Sequence, residues 1–154
     1  MKRVFIFPVA VAFTVISMAA AKSLDLKSLP QAVQTTVQSQ LQGAEIKNIS
    51  KETENGVTQY EIETMLNGRH RDFNVDTKGT LVVVEEEVPL DSLPAAAIAA
   101  IRKKVGAGKP GMVEAVKKGD MKSGSETVYE AAYTTVGGKK QVFYVKADGT
   151  ATKE

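Results

Sequence analysis

Four side chains could do acid–base or ligand chemistry if the fold brings them together: Glu61, Glu63, His70 and Asp72. The two glutamates alternate along one segment, His70 and Asp72 alternate along the next, and Asn67-Gly68 separates them. Asn-Gly between alternating apolar runs signals a two-residue type I′ hairpin turn. Folding about it sets Leu66 opposite Arg69, Thr64 opposite Arg71, Ile62 opposite Phe73 and Tyr60 opposite Val75. Glu63 then faces Asp72, with Glu61 and His70 on the same non-core side. Carboxylates beside an imidazole can shuttle protons or hold a cation weakly. The competing reading is a solvated sheet face whose charges are relieved by Lys47 or other basic neighbours. Glycosidase carboxylates must flank a sugar pocket, and no segment here builds one.

Most other chemistry is excluded by composition. The chain has 154 residues, one His, no Cys and no Trp. Without Cys there is no disulfide framework, thiolate zinc site, iron–sulfur cluster or cysteine nucleophile. With one His, a multi-histidine metal site would need a second chain. No Gly-x-Ser-x-Gly occurs, nor a Ser-x-x-Lys with its supporting boxes. Gly106-Ala107-Gly108-Lys109-Pro110-Gly111 has the composition of a phosphate loop but ends a helical pattern instead of opening one. It reads as a linker. No catalytic residue, metal ligand or cofactor is assigned, and the protein is expected not to be an enzyme. Glu85-Glu86-Glu87 reads as an acidic sheet edge that resists aggregation, or as a docking site for a basic partner.

The start of the chain is targeting sequence. Lys2-Arg3, an apolar stretch from Val4 to Ile16 and the small-residue run Ala19-Ala20-Ala21 have the layout of a secretory signal peptide, with the cut after Ala21. The alternative is an uncleaved anchor, since an 18-residue stretch from Val4 to Ala21 is close to the shortest span. The whole chain holds 20 Lys and Arg against 18 Asp and Glu, so removing Lys2 and Arg3 leaves no net charge. Neither nucleic acid nor an anionic membrane is then an expected partner.

The remainder repeats itself. Ser28-Leu29-Pro30 recurs as Ser92-Leu93-Pro94, and each opens a helical stripe: Leu29, Val33, Val37, Leu41 and Leu93, Ala97, Ile101, Val105. Ser28 or Ser92 would cap its helix, with Gln31 completing a capping box; Gly43 stops the first helix. Strand-like segments follow: Ile46–Lys51 matches Val113–Lys118, Tyr60–Glu63 matches Tyr129–Ala132, and Phe73–Val75 matches Phe143–Val145. Glu54-Asn55-Gly56 and Lys122-Ser123-Gly124 are turns. A three-residue loop, Val136-Gly137-Gly138, sets Ala131 opposite Phe143 and Tyr129 opposite Val145. The expected core is Tyr60, Ile62, Phe73, Val75, Tyr129, Ala131, Phe143 and Val145. The expected fold class is α+β: two helix-plus-antiparallel-sheet repeats with helices packed on one sheet face, residues 24–90 and 91–154.

On these residues the sequence resembles the PepSY superfamily, and within it the exported proteins called β-lactamase-inhibitor-like, PepSY-like. The likeness rests on Ser-Leu-Pro opening a helix, on Gly43-Ala44-x-Ile46-x-x-Ile49-x-Lys51, on Gly56 with Tyr60-Glu61-Ile62-Glu63, and on Asp76-x-x-Gly79-Thr80-Leu81 before the acidic run. It covers most of residues 24–154 in two copies; the second has a longer Gly/Pro loop and a shortened last strand. The resemblance implies a bacterial exported protein, periplasmic or secreted, without catalytic residues, that modulates peptidases or other envelope partners by binding them.

One asymmetry points to where such binding could occur. Asp72 and Asn74 on the non-core face correspond to Val142 and Tyr144. Val82 and Val84 join them if Leu81 and Val83 point inward. An apolar patch on a wet sheet face suits an exported protein partner; packing of one copy on the other is the alternative. The competing function is an envelope sensor of small ligands or cations, using Glu61, Glu63 and Asp72. N-terminal sequencing of the exported product should begin at or near Lys22; an intact species starting at Met1 in the membrane contradicts the signal assignment.

Overall fold

Apolar alternation and turn chemistry make most of this chain strand. The computed structural model describes residues 23–54, 56–119 and 126–153; the signal segment and the turn expected at Lys122-Ser123-Gly124 lie outside them. The elements are α1 (Gln31–Leu41), β1 (Glu45–Glu54), β2 (Val57–Leu66), β3 (Arg69–Asp76), β4 (Leu81–Glu87), α2 (Ala95–Val105), β5 (Lys109–Lys118), β6 (Thr127–Thr134), β7 (Lys140–Lys146) and β8 (Ala151–Thr152). All eight strands form one antiparallel sheet in sequence order.

This corrects the expectation of two helix-plus-sheet repeats. The chain leaves β4, passes through α2 and returns as β5 alongside β4, pairing Val83 with Lys118 through to Glu87 with Glu114. Hydrogen bonds from Gly119 N to the Val82 carbonyl (2.8 Å) and from Val88 N to the Val113 carbonyl (2.9 Å) close both ends of this seam. Glu85–Glu87 is therefore no edge; Glu85 and Glu86 are paired on both sides and Glu87 with Glu114 of β5.

Asn67 and Gly68 both take positive φ, 52° and 80°, as a type I′ turn requires. The first hairpin pairs Leu66 with Arg69, Ile62 with Phe73 and Tyr60 with Val75. The second pairs Ala131 with Phe143 and Tyr129 with Val145, and Thr135 N donates to the Lys139 carbonyl across the loop. Directly paired residues share a face, so Phe73, Val84, Lys117, Val113, Ala131 and Phe143 all look the same way. Both helices cover that face. Val33 and Val37 of α1 are buried with Ile49, Ile62, Phe73, Val75 and Val84; Ala97 and Ile101 of α2 are buried with Val113, Ala131 and Val145. Each fully buried large side chain contributes about 1.5–3 kcal/mol. Tyr129 and Phe143 reach this core only in part.

Three local details differ from the sequence reading. The helices start at Gln31 and Ala95 behind prolines, without a side-chain cap. The two serines end 3-10 turns instead, where Ser28 Oγ donates to the Asp25 carbonyl and Ser92 Oγ to the Pro89 carbonyl. Lys109-Pro110-Gly111 is the start of β5, with a bulge after Pro110 that accommodates its missing N–H. A bulge in β4 also gives Val75 the partner Leu81 while Asn74 keeps Val83. Val82 is the extra residue, and both Leu81 and Val84 face the core.

Two glycines join turns to helices. Gly79 takes φ +88°, and a Cβ there would lie 2.7 Å from the Ala32 carbonyl oxygen; Gly149, at φ +85°, meets Ala96 O at 2.8 Å. Thr36 Oγ1 donates to the Gly79 carbonyl at 2.6 Å, fastening α1 to the β3–β4 turn. Gly43 also has positive φ but open space around it. Gly79→Ala should therefore destabilise by about 2–4 kcal/mol, combining left-handed strain with overpacking, whereas Gly43→Ala should cost about 1–2 kcal/mol. Urea denaturation of the two variants checks the difference.

Candidate functional site

The face opposite the helices is uncovered in the described residues, and it carries the candidate chemistry. The β4 bulge decides which valines reach it. Val84 is fully buried in the core and so is not on this face; Val82 is displaced into the bulge, its carbonyl engaged by Gly119 N. Val83 takes their place. The pairing Glu85–Val116–Val128 brings in two more valines, and Ala132–Val142 and Glu130–Tyr144 complete the set. Diagonal neighbours on adjacent strands touch, so Val83, Val116, Val128, Tyr144 and Val142 form an oblique apolar stripe across β4–β7. Val116 is only 4% exposed although no helix covers it, so its neighbours on this face shield it. Sequence reading placed Val142 and Tyr144 correctly on this face and missed Val83, Val116 and Val128. The signal for the last two was their alternation within β5 and β6.

Carboxylates border the stripe. On β1–β3 each is held by neutral donors. Glu63 accepts from Asn48 Nδ2 (2.8 Å) and Glu61 from Ser50 Oγ (3.1 Å); Glu52 accepts from both Gln59 Nε2 and Asn74 Nδ2 (2.9 Å each). Asp72 Oδ1 accepts the Thr64 backbone N–H at 2.7 Å, while His70 Nδ1 stands 3.9 Å from its other oxygen. Lys47 does not relieve this face; its ammonium pairs with Glu45 at 2.7 Å. The four side chains that opened the sequence argument are thus close together, and one oxygen of each of the three carboxylates is engaged by a hydrogen bond. A cleft of about 460 Å³ lies beside the β2–β3 turn, lined by Leu66, Asn67, Arg69, His70, Arg71, Glu86, Glu87 and Val88; it includes His70 but neither Glu63 nor Asp72. Among the described residues no three His, Asp or Glu side chains are placed to hold a metal ion.

At the β4–β5 seam the carboxylates crowd one another. Glu85 faces Asp72 across β3, and Glu87, Glu114 and Glu130 line up across β4, β5 and β6. Partial burial, reinforced by Glu114, Glu130, Asp72 and Glu61, pushes the Glu85 carboxyl up to about 7. Burial, then Glu130 and Asp72, does the same to Glu114, also to about 7, with His70 opposing. Burial also raises Asp72 and Glu61, against the hydrogen bonds they accept from Thr64 and Ser50. The sequence reading missed this seam ladder because it depends on the pairing of β4 with β5.

The same fold occurs in solved structures. A candidate periplasmic protein of Bacteroides eggerthii superposes with a TM-score of 0.65 at 16% identity, covering 81% of this chain and 86% of that one. A DUF2874 family protein of Bacteroides ovatus gives 0.63 at 16% identity over 82% and 86%. A BLIP-like protein of Bacteroides fragilis gives 0.59 at 20% identity over 81% and 84%. The chain thus has the fold of DUF2874 and BLIP-like proteins. No family model matches the sequence, and no curated protein does.

The seam carboxylates give a signed pH dependence. A carboxyl whose pKa is higher folded than unfolded binds more protons in the native state, so stability falls as pH rises from about 4.5 to about 7. Glu85→Gln should flatten that fall. At pH 8 it should raise stability by about 1 kcal/mol, below the roughly 3 kcal/mol of the full shift because solvent screens the group. Urea midpoints at pH 5 and pH 8 measure both effects.

Proposed function

We propose that this is an exported, non-catalytic binding protein of the PepSY-like, β-lactamase-inhibitor-like kind. It modulates a peptidase or other envelope enzyme by seating that partner on its open sheet face. The observation that carries the reading is the oblique apolar stripe ending in Val142 and Tyr144, framed by carboxylates, on the side of the sheet away from the helices. An aromatic side chain within such a stripe can anchor a partner, and truncating an anchor of this kind costs about 2 kcal/mol or more. The leader expected over residues 1–21 supports export, and the description of the Bacteroides eggerthii structure as a candidate periplasmic protein agrees. The open face supports binding better than catalysis: Glu52, Glu61, Glu63 and Asp72 on it accept hydrogen bonds from neighbouring side chains or backbone, and no nucleophile motif stands beside them in the sequence.

Affinity capture from envelope extract tests the reading. The wild-type chain should retain one specific protein; Tyr144→Ala should lose it, and Glu63→Gln/Asp72→Asn should keep it. Loss in the carboxylate variant alone, together with calcium-dependent stabilisation of the wild type, would replace binding of an enzyme with cation sensing.

A further inference from the structure

After residue 21 the chain carries no net charge. That average spoke against an anionic membrane, but the fold separates the charges. Carboxylates crowd the middle of the open face, while five exposed lysines gather at one end of the sheet. Lys103 and Lys104 lie in the last turn of α2, Lys109 opens β5, and Lys139 and Lys140 lead from the β6–β7 loop into β7. Thr134 at the end of β6 pairs with both Lys109 and Lys140. The α2–β5 connection packs onto the same place, since a Cβ on Gly108 would lie 2.5 Å from the Thr134 carbonyl oxygen. Lys104 Nζ stands 5.6 Å from the ring centroid of Phe143 on β7. Among the described residues none of these lysines has a carboxylate partner; the lysine and arginine ion pairs use Lys47, Arg71, Arg102, Lys117 and Lys146 instead.

An apolar side chain stands among them. The β6–β7 loop closes on itself: Thr135 N donates to the Lys139 carbonyl, Gly138 N to the Thr135 carbonyl and Lys139 N to Thr135 Oγ1. This bonded loop holds Val136 out into solvent, 81% exposed. The first half of the chain shows that the fold requires none of this. The last turn of α1 has no basic residue where that of α2 has three, and the β2–β3 turn, Asn67-Gly68, carries no apolar side chain. Attraction of cations to a helix C-terminus accounts for Lys103 and Lys104. It does not account for Lys109, Lys139 and Lys140, or for a valine exposed beside them.

We propose that this end of the molecule docks on a bilayer surface carrying anionic headgroups, with the lysines against the phosphates and Val136 entering the interface. Each lysine near such a surface strengthens attachment by about fivefold. An apolar side chain among the lysines suits a bilayer, which can bury it, better than a soluble polyanion, which cannot. Glu85, Glu114 and Glu130 keep the open face itself off an anionic surface. The molecule therefore stands on its strand ends, with the apolar stripe still accessible. The five lysines and Val136 belong neither to that stripe nor to its carboxylates, so the docking is independent of the function proposed for them.

The test is co-sedimentation of the exported product, its leader removed, with phosphatidylcholine vesicles containing about one-third phosphatidylglycerol, against vesicles of phosphatidylcholine alone. Binding should be tighter to the anionic vesicles by about tenfold or more and should fall as salt rises. Lys139→Glu/Lys140→Glu should weaken it by about twentyfold or more. Lys27→Glu/Lys78→Glu makes the same change of net charge at the opposite end, beside the start of α1, and should leave binding within about twofold. The chain has no Trp, so Val136→Trp is a single reporter whose emission should shift to the blue on anionic vesicles. Val57→Trp, at an exposed position after the β1–β2 turn, should show no shift. The proposal is overturned by equal binding to both vesicles, by equal loss in the two charge variants, or by vesicle-bound Val136→Trp protein whose emission is unchanged. Soluble polyphosphate that binds wild type and Val136→Asp equally, with no binding to vesicles, would also overturn it, in favour of a soluble polyanion.

Discussion

The pairing of β4 with β5 governs the molecule. Without it the chain would be two small sheets, one with a free edge at acidic β4 and the other at lysine-bearing β5; with it there is one sheet, one helix-covered face and one face open among the described residues. On the covered face an ion network spans the seam. Arg71, 4% exposed, donates from Nε to Glu86 Oε1 at 3.1 Å and from Nη1 to the Gln40 carbonyl at 2.7 Å, while Lys117 Nζ reaches the other Glu86 oxygen at 3.6 Å. Arg71 thereby ties the C-terminal turn of α1, where a cation is favoured, to β4 and through Glu86 to β5. A buried guanidinium that lost its carboxylate would cost about 3–5 kcal/mol, so this contact holds the seam in register more firmly than exposed pairs such as Arg102 with Asp91.

The same pairing sets the character of the open face. It brings Glu114 and Glu130 into line with Glu87, and Glu85 into their company, at a cost visible in carboxyls raised to about 7. It also brings Val83 of β4 to the end of the apolar stripe that Val116, Val128, Tyr144 and Val142 form across β5–β7. Sequences depart from local stability rules mainly at functional sites. A crowded carboxylate row beside an apolar stripe, on a face that no helix covers among the described residues, is such a departure.

Local elements of this fold were legible because short-range chemistry determines them. Asn67-Gly68 and the alternation around it fixed the first hairpin register, and preserving that alternation fixed the second. The helical stripes of Val33 with Val37 and of Ala97 with Ile101 identified what each helix buries. Long-range features were not legible. Nothing local in Glu85-Glu86-Glu87 says that β5 will return beside it, so the run read as an edge. The β4 bulge, which swings Val84 inward and Val83 outward, is visible only once Asn74 and Val75 have their partners. The serine caps failed for a different reason: each Ser is consumed by a 3-10 turn, leaving Pro30 or Pro94 to start the helix. Of the binding residues read from sequence, Val142 and Tyr144 stayed on the open face because their register depends on one short hairpin.

Native-state hydrogen exchange at the seam tests the continuous sheet most directly. The bonds from Gly119 to Val82 and from Val88 to Val113 fix the alternation, so the amides of Val84, Glu86, Ala115 and Lys117 cross between β4 and β5. In one cooperative sheet these four exchange only through global unfolding, with the same opening free energy as the amides of Ile62 and Ala131. Seam amides that exchange orders of magnitude faster, while Ile62 and Ala131 stay protected, would mean two independent sheets and no shared open face.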